Sequence, residues 1–544
     1  MIKLILRLLP SSARKQCGKV VFAVLLRSIL DFAGVAALIP LLLTVLKPES
    51  SRSYMLVMCG FILLFVVVKH IMVAILARVE SKFQLEVYRN FSRRMFVNYY
   101  RRGLMFLKGK SSVQLGHEVN FVCYTFSLCV LKPLFRMVGD AVLIFFMMAA
   151  LVIWEPFAGM LLCAAFVPLA FLYTTVVRRK LRKYGEEELE ARRRQSRIVV
   201  EAFRGYPELE IAQAFGTSLS SFDLGMNAIV DSRLRMERYQ LFPQFISETA
   251  IVAGIALLVA SGQGNLGVVS GVFAVAAFRL IPAVRSILNS WVMLQNARHS
   301  VSVVKDGLEE NINNDNYLYN DKPLSFGLGL DVKNLGFSFP DGTKLFNQLN
   351  FHIDKGERIG IKGVSGSGKS TLFNLLLGFM EPTEGDIYIN DNKLTPQLKH
   401  RWHSIVGYVP QEIFIVEGTL VDNVALGQSS PCREKIMKVL EQVQLAEWVN
   451  ELPQGLDTSL GEYGSRLSGG QKQRIGIARA LYKDAEVLFF DEATSALDSG
   501  TEAEINKALE ELSVKCREIT MIIIAHRETS LAMCNRIIDL DNYK

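Results

Sequence analysis

Six stretches of mostly apolar residues in the first half of the chain constrain its fold more than any other feature of the sequence. A helix needs about 20 such residues to cross the hydrocarbon core of a bilayer, so each stretch is predicted to be a membrane-spanning helix. The predicted spans lie near residues 20–46, 54–77, 134–153, 158–177, 245–261 and 268–287. In the first span Arg27 and Asp31 are one helical turn apart, and they either pair with each other or face a cavity. With 50% of its residues hydrophobic, the chain is neither disordered nor an ordinary soluble protein.

The basic residues between these spans predict how the chain is oriented in the membrane. The connection over residues 78–130 contains nine Lys and Arg residues, and the connection over 178–243 contains thirteen. The short connections on the opposite side contain only two, Lys47 and Arg52. Because cytoplasmic loops are enriched in Lys and Arg, we predict that both termini and both long connections lie in the cytoplasm.

The two long connections have the charge pattern of helices rather than of tails. Charged and apolar residues alternate at helical spacing over 178–240. We therefore predict two helical extensions that reverse direction near residues 111–118 and 204–215, where they would contact the second half of the chain. The basic runs are typical of solvated helix faces beside anionic lipid head groups, and we favour this interpretation over nucleic-acid binding.

The sequence contains no pattern typical of a disulfide framework or a zinc site. The eight cysteines are scattered without a CxxC pair, which indicates free thiols. His400 and His403 flank Trp402 without a plausible metal partner nearby, and both are expected on the surface.

The pattern of the chain changes after about residue 306. Residues 311–323 are polar and turn-rich, which predicts a linker between a transmembrane domain over 1–310 and a second domain over 324–544. In the second domain short Val- and Ile-rich strands alternate with helical stretches, the pattern of an α/β fold. The charge also differs, since residues 1–320 contain 37 Lys and Arg against 22 Asp and Glu, and the remainder contains 24 against 31. The predicted architecture is a six-helix all-α membrane domain with long cytoplasmic extensions, followed by an α/β domain.

The run from Gly363 to Ser370 matches the phosphate-binding loop GxxxxGK[ST]. The loop follows a predicted strand over 358–361 and opens a predicted helix over 370–379, which is the context that supports the match. Its backbone N–H groups are expected to converge on phosphate oxygens, with Lys369 at the β- and γ-phosphates and the Ser370 hydroxyl on Mg²⁺. The candidate nucleotide-binding residues of this loop are Gly363, Ser365, Gly366, Ser367, Gly368, Lys369, Ser370 and Thr371.

A second phosphate-site element is a buried strand, predicted over 487–490, that ends in two carboxylates. Asp491 is suited to the metal shell, and Glu492 is suited to orient the attacking water. A kinase or a small GTPase would share these two elements. Four further motifs exclude both classes: LSGGQ at 467–471, SALD at 495–498, Gln411 in a Val-Pro-Gln-Glu run, and His526 after a predicted strand over 521–525.

These motifs, in this order, resemble the nucleotide-binding domain of ATP-binding cassette (ABC) transporters over about residues 324–542. With six spans before it, the whole chain resembles an exporter-type half-transporter, a membrane domain fused to one P-loop ABC ATPase domain. The resemblance implies ATP and Mg²⁺ as cofactors, ATP hydrolysis coupled to transport, and an obligate dimer whose ATP sites are shared between protomers. Because Glu492 and His526 are both present, a homodimer is expected, and a heterodimer stays open.

The resemblance also implies roles for single residues in the chain's own half of each ATP site. Phe339 would stack on adenine, with a place in the hydrophobic core as the alternative. Gln411 would contact Mg²⁺ and the attacking water, and His526 would contact the γ-phosphate. Together with Glu492, these two residues form the predicted catalytic set.

Other residues are implied to act on the partner protomer. Ser468 and Gly470 would bind the γ-phosphate of ATP held by the other protomer, and Asp498 would cross the dimer interface. Gly469 and Gln471 belong to the same signature motif and are candidate nucleotide-binding residues with them.

Charged residues inside the spans are the best indication of the cargo, because intramembrane charge is costly and tends to face a cavity. Arg279 and Arg285, in or just below the sixth span, are candidates to bind a phosphate or carboxylate of the substrate. The alternative is that they pair with Glu248, Asp140 or lipid phosphates.

Short stretches at 30–40, 278–286 and 521–526 are similar to bacterial flippases of lipid-linked oligosaccharides. The favoured function is ATP-driven export or flipping of an amphipathic, anionic lipid-linked saccharide across a bacterial inner (plasma) membrane. The alternatives are a peptide, lipid or drug exporter of the same architecture, and a non-transporting ATPase that gates or signals, which the tiny external loops disfavour. The expected partners are a second copy of the chain, membrane lipids and the cargo, with no nucleic acid.

Overall fold

The structure is a computed structural model in which two compact units are resolved. It describes residues 7–37, 52–154, 178–242, 266–308, 324–339, 341–492, 518–525 and 528–543, with a few isolated positions between these ranges. One unit comprises Met1–Arg102 and Phe106–Asn313, and the other comprises Asn314–Lys544 with Gly103–Met105. The predicted spans at 158–177 and 245–261 and the predicted linker at 311–323 lie almost wholly outside the described residues.

The described part of the chain before residue 309 is helical. Two continuous helical stretches, Met55–Arg101 and Ser112–Ile153, are long and apolar enough to cross a membrane, and they correspond to the spans predicted at 54–77 and 134–153. The helices are α1 (Ser11–Ala36), α2 (Arg52–Arg101), α3 (Gly103–Lys108), α4 (Ser112–His117), α5 (Cys123–Phe126), α6 (Lys132–Trp154), α7 (Arg178–Arg204), α8 (Tyr206–Ile211), α9 (Phe215–Gln240), α10 (Leu266–Asn296) and α11 (Arg298–Leu308).

The predicted helical extensions are present, with one change in where they reverse. Over 204–215 the chain turns through the short helix α8, as predicted. The other reversal begins earlier than the predicted 111–118, because α2 ends at Arg101 and Gly103 has a backbone φ of +78°. The stretch from Ser112 onward is already helical, and π-helical turns at Glu118–Val122 and Ser127–Leu131 join α4, α5 and α6. The sequence misplaces this turn because Ser, Gly and His at 111–117 suggest a break.

The core of this unit lies where α1, α2, α5 and α11 meet. Phe91 of α2 and Phe126 of α5 are fully buried, with ring centroids 5.4 Å apart. Gly307 of α11 allows a close approach, since a Cβ there would lie 2.8 Å from the methyl group of Met95. Close helix packing of this kind needs small residues at the crossing point.

The second unit is an α/β domain with two sheets. Its strands are β1 (Leu330–Ser338), β2 (Lys344–Ile353), β3 (Arg358–Lys362), β4 (Glu384–Ile389), β5 (Asn392–Lys393), β6 (Val406–Val409), β7 (Val487–Asp491), β8 (Thr520–Ile524) and β9 (Arg536–Asp539). The antiparallel sheet has the order β2-β1-β4-β5, and the parallel sheet has the order β6-β7-β8-β3-β9. The described helices are α12 (Lys369–Leu376), α13 (Pro396–Ile405), α14 (Leu420–Val424), α15 (Arg433–Gln442), α16 (Ala446–Glu451), α17 (Gly469–Tyr482) and α18 (Glu528–Leu531).

The parallel sheet places the predicted phosphate elements at one edge. Every residue of β7 and β8 is buried, as expected for central parallel strands that are covered on both faces. The carboxyl ends of β3 and β7 lead into the phosphate loop and into the acidic pair, and carboxyl ends of parallel strands meet at the same edge. The predicted strand at 358–361 and helix at 370–379 correspond to β3 and to α12, which ends earlier, at Leu376. Strand β9 was not predicted.

Candidate functional site

The loop between β3 and α12 has the geometry of a phosphate cradle. Gly366 and Gly368 have backbone φ angles of +81° and +94°, which residues with a Cβ rarely adopt. A Cβ at Gly368 would also lie 2.7 Å from the ring of Phe346. No described side chain caps the N-terminus of α12, so its first backbone N–H groups are open to an anion.

The ammonium group of Lys369 lies over this loop. Its Nζ donates hydrogen bonds to the backbone carbonyls of Gly363 (2.9 Å) and Val364 (3.1 Å), and the residue is only 6% exposed. The hydroxyl of Ser367 is also buried and has no hydrogen-bond partner within the described ranges. A buried cation, an orphaned hydroxyl and open N–H groups together fit the phosphates of a nucleotide.

The structure brings the two predicted metal ligands from the loop and the acidic strand together. The Ser370 hydroxyl donates to Asp491 Oδ1 at 3.4 Å, and the Tyr408 hydroxyl donates to Asp491 Oδ2 at 3.4 Å. Burial raises the pKa of Tyr408, and the neighbouring Asp491 charge raises it further, so the phenol stays protonated. Oxygen ligands of this kind fit Mg²⁺, which would supply positive charge to neutralise the phosphates.

The candidate base and the candidate water-sensing amide are in direct contact. Gln411 Nε2 donates to Glu492 Oε2 at 3.0 Å. The backbone of Glu492 has a φ of +48°, and its N–H donates to the carbonyl of Ile524 at 3.0 Å. Left-handed backbone at a non-glycine residue is uncommon and concentrates at functional sites. Here it turns the carboxylate out of β7 at the edge that carries the phosphate loop.

The signature motif forms the start of α17. Ser468 is the N-cap residue, its Oγ accepts from the N–H of Gln471 at 3.2 Å, and Gln471 Oε1 accepts from the N–H of Ser468 at 2.9 Å. This capping box holds the first turn, which contains Gly469 and the buried Gly470. Ser468 is exposed and Gln471 is half-buried, so the residues that cap the helix remain accessible from outside the chain.

The other residues predicted to bind nucleotide are Phe339, Ser365, Thr371, Asp498 and His526. The ring of Phe339 is half-buried and meets Phe337 edge-on at 5.2 Å, an arrangement that also fits the core alternative. Ser365 is exposed, and Thr371 lies half-buried in the first turn of α12. Asp498 and His526 lie outside the described residues.

Sequence reasoning missed a carboxylate that contacts the phosphate loop. Asp541 Oδ2 accepts a hydrogen bond from the backbone N–H of Val364 at 3.1 Å. It follows β9, which pairs with β3 and thereby lies beside the loop, with Ile361 opposite Ile538. The Arg-Ile-Ile-Asp run before Asp541 carries a weak strand signal that could have identified it. Tyr408, with its bond to Asp491, was missed as well.

The two histidines beside Trp402 differ, so the surface prediction is wrong for one of them. His400 is exposed, as predicted. His403 is largely buried, its Nε2–H donates to the Leu377 carbonyl at 2.6 Å, and its ring lies 5.2 Å from that of Phe379. Burial lowers the pKa of His403 to about 4, with Lys399 and Lys483 adding to the shift. The helical spacing on α13 turns His403 inward beside the fully buried Trp402.

A second candidate site is a cavity of about 230 Å³ between α1, α2, α6 and α10 in the helical unit. Arg279 Nη2 lies 3.0 Å from Asp31 Oδ2, and Lys69 Nζ lies 3.0 Å from Asp31 Oδ1. Arg27 pairs instead with Glu80, at 3.5 Å. Of the two alternatives for Arg27 and Asp31, the structure therefore shows the second: both line the cavity, and partners on other helices take both side chains.

The structure separates the two arginines that were predicted to bind cargo. Arg279 lines the cavity, as the cargo-binding prediction requires, and it pairs with Asp31 rather than with Glu248 or Asp140, the partners named in the alternative. Arg285, also on α10, does not line this cavity, whereas its neighbour Ser286 does.

Comparisons with known proteins agree with this geometry. A family model described as "ABC transporter" matches residues 346–495, which hold the phosphate loop, the signature motif and the acidic strand. The chain is 28% identical over 460 residues to an ATP-dependent lipid A-core flippase of Burkholderia thailandensis, covering 83% of this chain and 76% of the relative. It is 42% identical over 210 residues to the uncharacterized ABC transporter ATP-binding protein YwjA of Bacillus subtilis, an alignment that spans only about a third (36%) of that relative.

A solved structure extends the likeness to both units. The structure described as a bacterial Atm1-family ABC exporter with ATP bound matches with a TM-score of 0.77 and 22% identity, covering 97% of this chain and 93% of that one. At this identity the match shows the fold. The fold is that of an ABC exporter, a helical membrane domain followed by a P-loop ABC ATPase domain.

The cradle built around Lys369, the capped signature helix and the extent of these matches support one assignment. The protein is an integral membrane protein with an ATP-binding, ATP-hydrolysing domain. The chain belongs to the ABC transporters, as an exporter-type half-transporter in which a membrane domain is fused to one nucleotide-binding domain.

Proposed function

We propose that two copies of this chain use MgATP to move an amphipathic, anionic lipid-linked saccharide across a bacterial inner membrane. The observation that carries the choice of cargo is the charged cavity of about 230 Å³ in the membrane domain. The ATPase domain lies on the cytoplasmic side in this proposal, as the nine and thirteen basic residues of the long connections predict.

The ATP half of the proposal rests on the cradle and the acidic edge of the parallel sheet. Lys369 and the N-terminus of α12 hold the phosphates, and Ser370 and Asp491 hold Mg²⁺. Glu492, in contact with Gln411 at 3.0 Å, accepts a proton from the attacking water. Transfer of the terminal phosphoryl group is then mainly a matter of position and charge.

The proposed dimer depends on two separate elements that would contact phosphate, the phosphate loop and the signature helix α17. Ser468 caps the helix α17, and Gly470 lies in its first turn. In the proposal, the N-terminus of this helix faces the γ-phosphate of the ATP that is bound by the second copy. ATP then joins the two copies, and hydrolysis releases them. Closure and release open the membrane cavity alternately to the two sides.

Mixed dimers test this shared arrangement. A tagged dimer of one Lys369→Ala copy and one Ser468→Arg copy would have one doubly damaged site and one intact site. We expect one nucleotide per dimer at ATP concentrations that saturate the wild type. Two equally weakened sites would show that each copy binds ATP alone and would reject the dimer.

The charges at the cavity favour an anion as the cargo's polar end. Among the described residues, three arginines and three carboxylates line the cavity, and Lys69, which pairs with Asp31 without lining the cavity, adds a fourth cation in a region where charge is costly. Arginine forks also match phosphate oxygens in shape. The charged residues are Arg27, Lys69, Arg136 and Arg279 on the basic side, and Asp31, Glu80 and Asp140 on the acidic side.

The relative from Burkholderia thailandensis, which is named a lipid A-core flippase, supports a lipid-linked cargo, since it aligns over 83% of the chain. To test the cargo class, we would measure ATPase activity in proteoliposomes with added polyprenyl-pyrophosphate oligosaccharide, phosphatidylethanolamine or a cationic drug. We expect saturable stimulation by the pyrophosphate lipid at lower concentration than by the others. Stimulation by the cationic drug alone would reject the anionic cargo and favour a drug exporter.

A further inference from the structure

Asp31 pairs with two cations at the same time, Arg279 of the cavity lining and Lys69 beside it. Its Oδ1 lies 3.0 Å from Lys69 on α2, and its Oδ2 lies 3.0 Å from Arg279 on α10. All three side chains are largely withdrawn from solvent, with side-chain exposures of 18% for Asp31, 11% for Lys69 and 34% for Arg279. One carboxylate on α1 therefore links three helices at the point where cargo would bind.

The chain leaves room for this bridge. Gly34 is one helical turn after Asp31, and a Cβ there would lie 2.9 Å from Lys69 Nζ. A glycine at this position thus lets the ammonium group lie against α1 and reach Asp31. The Lys69–Asp31–Arg279 bridge therefore depends on the charges of its three residues and on the close packing of α1 against α2 at Gly34.

Polar groups beside the bridge are not satisfied. Arg279 Nε and Glu80 Oε1 are buried and have no hydrogen-bond partner in the described part of the chain. Glu80 is 8% exposed and lines the same cavity. Buried donors without a partner are costly, so the Arg279 guanidinium has an unused hydrogen bond to offer to an entering oxygen anion.

We propose that Asp31 acts as an internal anion that holds Arg279 and Lys69 until the anionic headgroup of the cargo displaces it. This inference rests on the proposed function, because it assigns a regulatory role to a residue of the proposed cargo site. A carboxylate and a phosphate oxygen compete for the same guanidinium N–H groups. Displacement frees α1 from α2 and α10, so cargo binding and helix separation are coupled.

The competition predicts that removing the Asp31 charge strengthens cargo binding. In proteoliposomes, Asp31→Asn should lower the half-maximal concentration of polyprenyl-pyrophosphate oligosaccharide for ATPase stimulation by about tenfold, equivalent to about 1.4 kcal/mol. Glu80→Gln is the matched control, because it removes the same charge from the same cavity but from a carboxylate that pairs with Arg27. We expect a change of less than about threefold for this control, which leaves the Asp31 bridge intact.

The results separate the inference from the proposed function. An unchanged or raised half-maximal concentration in Asp31→Asn, with the wild type stimulated normally, would overturn the internal anion and leave the cargo class standing. Equal gains in both variants would also overturn it, because they would indicate a general effect of net charge. Failure of every anionic lipid to stimulate the wild type would reject the proposed function and the inference with it.

A second measurement needs no cargo. If Asp31 and Arg279 interact as the distance of 3.0 Å indicates, the losses of thermal stability in Asp31→Asn and Arg279→Gln should be smaller in the double variant than their sum. Additive losses would mean that the bridge does not exist in the cargo-free protein and would overturn the inference. Because this double-mutant cycle compares stabilities directly, the inference stays testable even if one of the single variants is poorly stable.

Discussion

The nucleotide site and the membrane cavity are both built from charged and polar side chains, but their contacts are specified in different ways. At the nucleotide site a strand-loop-helix segment of consecutive residues sets the geometry, and Lys369 bonds to carbonyls five and six residues before it. In the cavity the bonds join helices that are far apart in sequence, as between Arg27 and Glu80, 53 residues apart. The comparison indicates that the phosphate loop is specified locally. The cargo cavity, like the contacts of Asp491 and Glu492, is assembled by packing of segments that are distant in sequence.

The acidic edge of the nucleotide site and the cavity also differ in how completely their groups are paired, whereas the phosphate loop, with the unpaired Ser367 hydroxyl, resembles the cavity in this respect. Asp491 has a hydroxyl group against each carboxylate oxygen, and Gln411 and Glu492 bond to each other. The cavity keeps buried atoms of Glu80 and Arg279 without partners among the described residues. Paired groups fix one geometry, whereas unpaired buried groups favour the entry of a further ligand. The following predictions test this contrast.

The largest effect is expected at Glu492. Glu492→Gln keeps the shape of the side chain and its contact with Gln411 but removes the proton acceptor. Because general bases typically contribute about 10²–10⁴-fold, we expect ATP turnover to fall at least about 100-fold while ATP binding survives. Steady-state hydrolysis assays measure the turnover, and filter binding of labelled ATP measures the binding. Hydrolysis near the wild-type rate would show that another group is the base.

Lys369→Ala should instead weaken ATP binding. The variant removes a charged donor from the phosphate cradle, and a hydrogen bond to a charged group contributes about 1.5–3 kcal/mol, or about 10- to 150-fold in affinity. Lys362→Ala is the control, because Lys362 is exposed at the end of β3. Equal ATP affinities of the two variants in equilibrium binding would contradict the cradle.

The sharpest test in the cavity compares two arginines on α10. Arg279→Ala should raise the half-maximal concentration of the pyrophosphate lipid by about tenfold or more. Arg285→Ala changes the same charge on the same helix, but Arg285 does not line the cavity, so a smaller change is expected. Thermal stability of both variants serves as the control for folding. A larger effect at Arg285 would mean that the cargo binds elsewhere.

Asp541 should have a smaller effect on the nucleotide site. Asp541→Ala removes the acceptor for the Val364 N–H, a bond worth about 0.5–1.5 kcal/mol, so the KM for ATP should rise about two- to tenfold. Asp541→Asn retains a side-chain oxygen and should restore most of the affinity. If Asn is as impaired as Ala, the negative charge rather than the hydrogen bond matters.

The smallest effect concerns stability and pH. His403 has a pKa of about 4 because of burial, against 6.5 for an ordinary histidine, so its contribution to stability is complete above pH 6.5. Between pH 6.5 and about 4 the unfolded chain binds a proton that the folded domain excludes, and stability falls. His403→Gln should flatten this decline in melting temperature, and the exposed His400→Gln should not. Identical pH profiles of the two variants would contradict the buried, neutral ring.

Much of the nucleotide domain could be predicted from sequence, for a physical reason. The phosphate loop needs glycines at positive φ and a lysine at the helix start, and these requirements appear as consecutive letters between Gly363 and Ser370. Asp541 was missed because its contact with Val364 arises from strand pairing between β9 and β3, which are distant in sequence. His403 was misjudged because burial of one face of α13 depends on what packs against it.

The membrane cavity shows the other limit of sequence reasoning. Arg279 was selected because intramembrane charge is costly, but the partner of each charge depends on how α1, α2 and α10 pack. The spacing of Arg27 and Asp31 suggested a pair within one helix, and tertiary contacts with Glu80, Lys69 and Arg279 replaced it. Local spacing states which pairs can form, and packing decides which do.

The central claim is that ATP hydrolysis drives an anionic lipid-linked saccharide from one leaflet to the other. The most direct test follows a fluorescent polyprenyl-pyrophosphate saccharide in proteoliposomes, with an impermeant quencher reporting its leaflet. We expect MgATP to move the label between leaflets in the wild type, and neither a non-hydrolysable ATP analogue nor the Glu492→Gln variant to do so. Equal movement with and without hydrolysis, or ATP hydrolysis without movement of any anionic lipid tested, would contradict the claim.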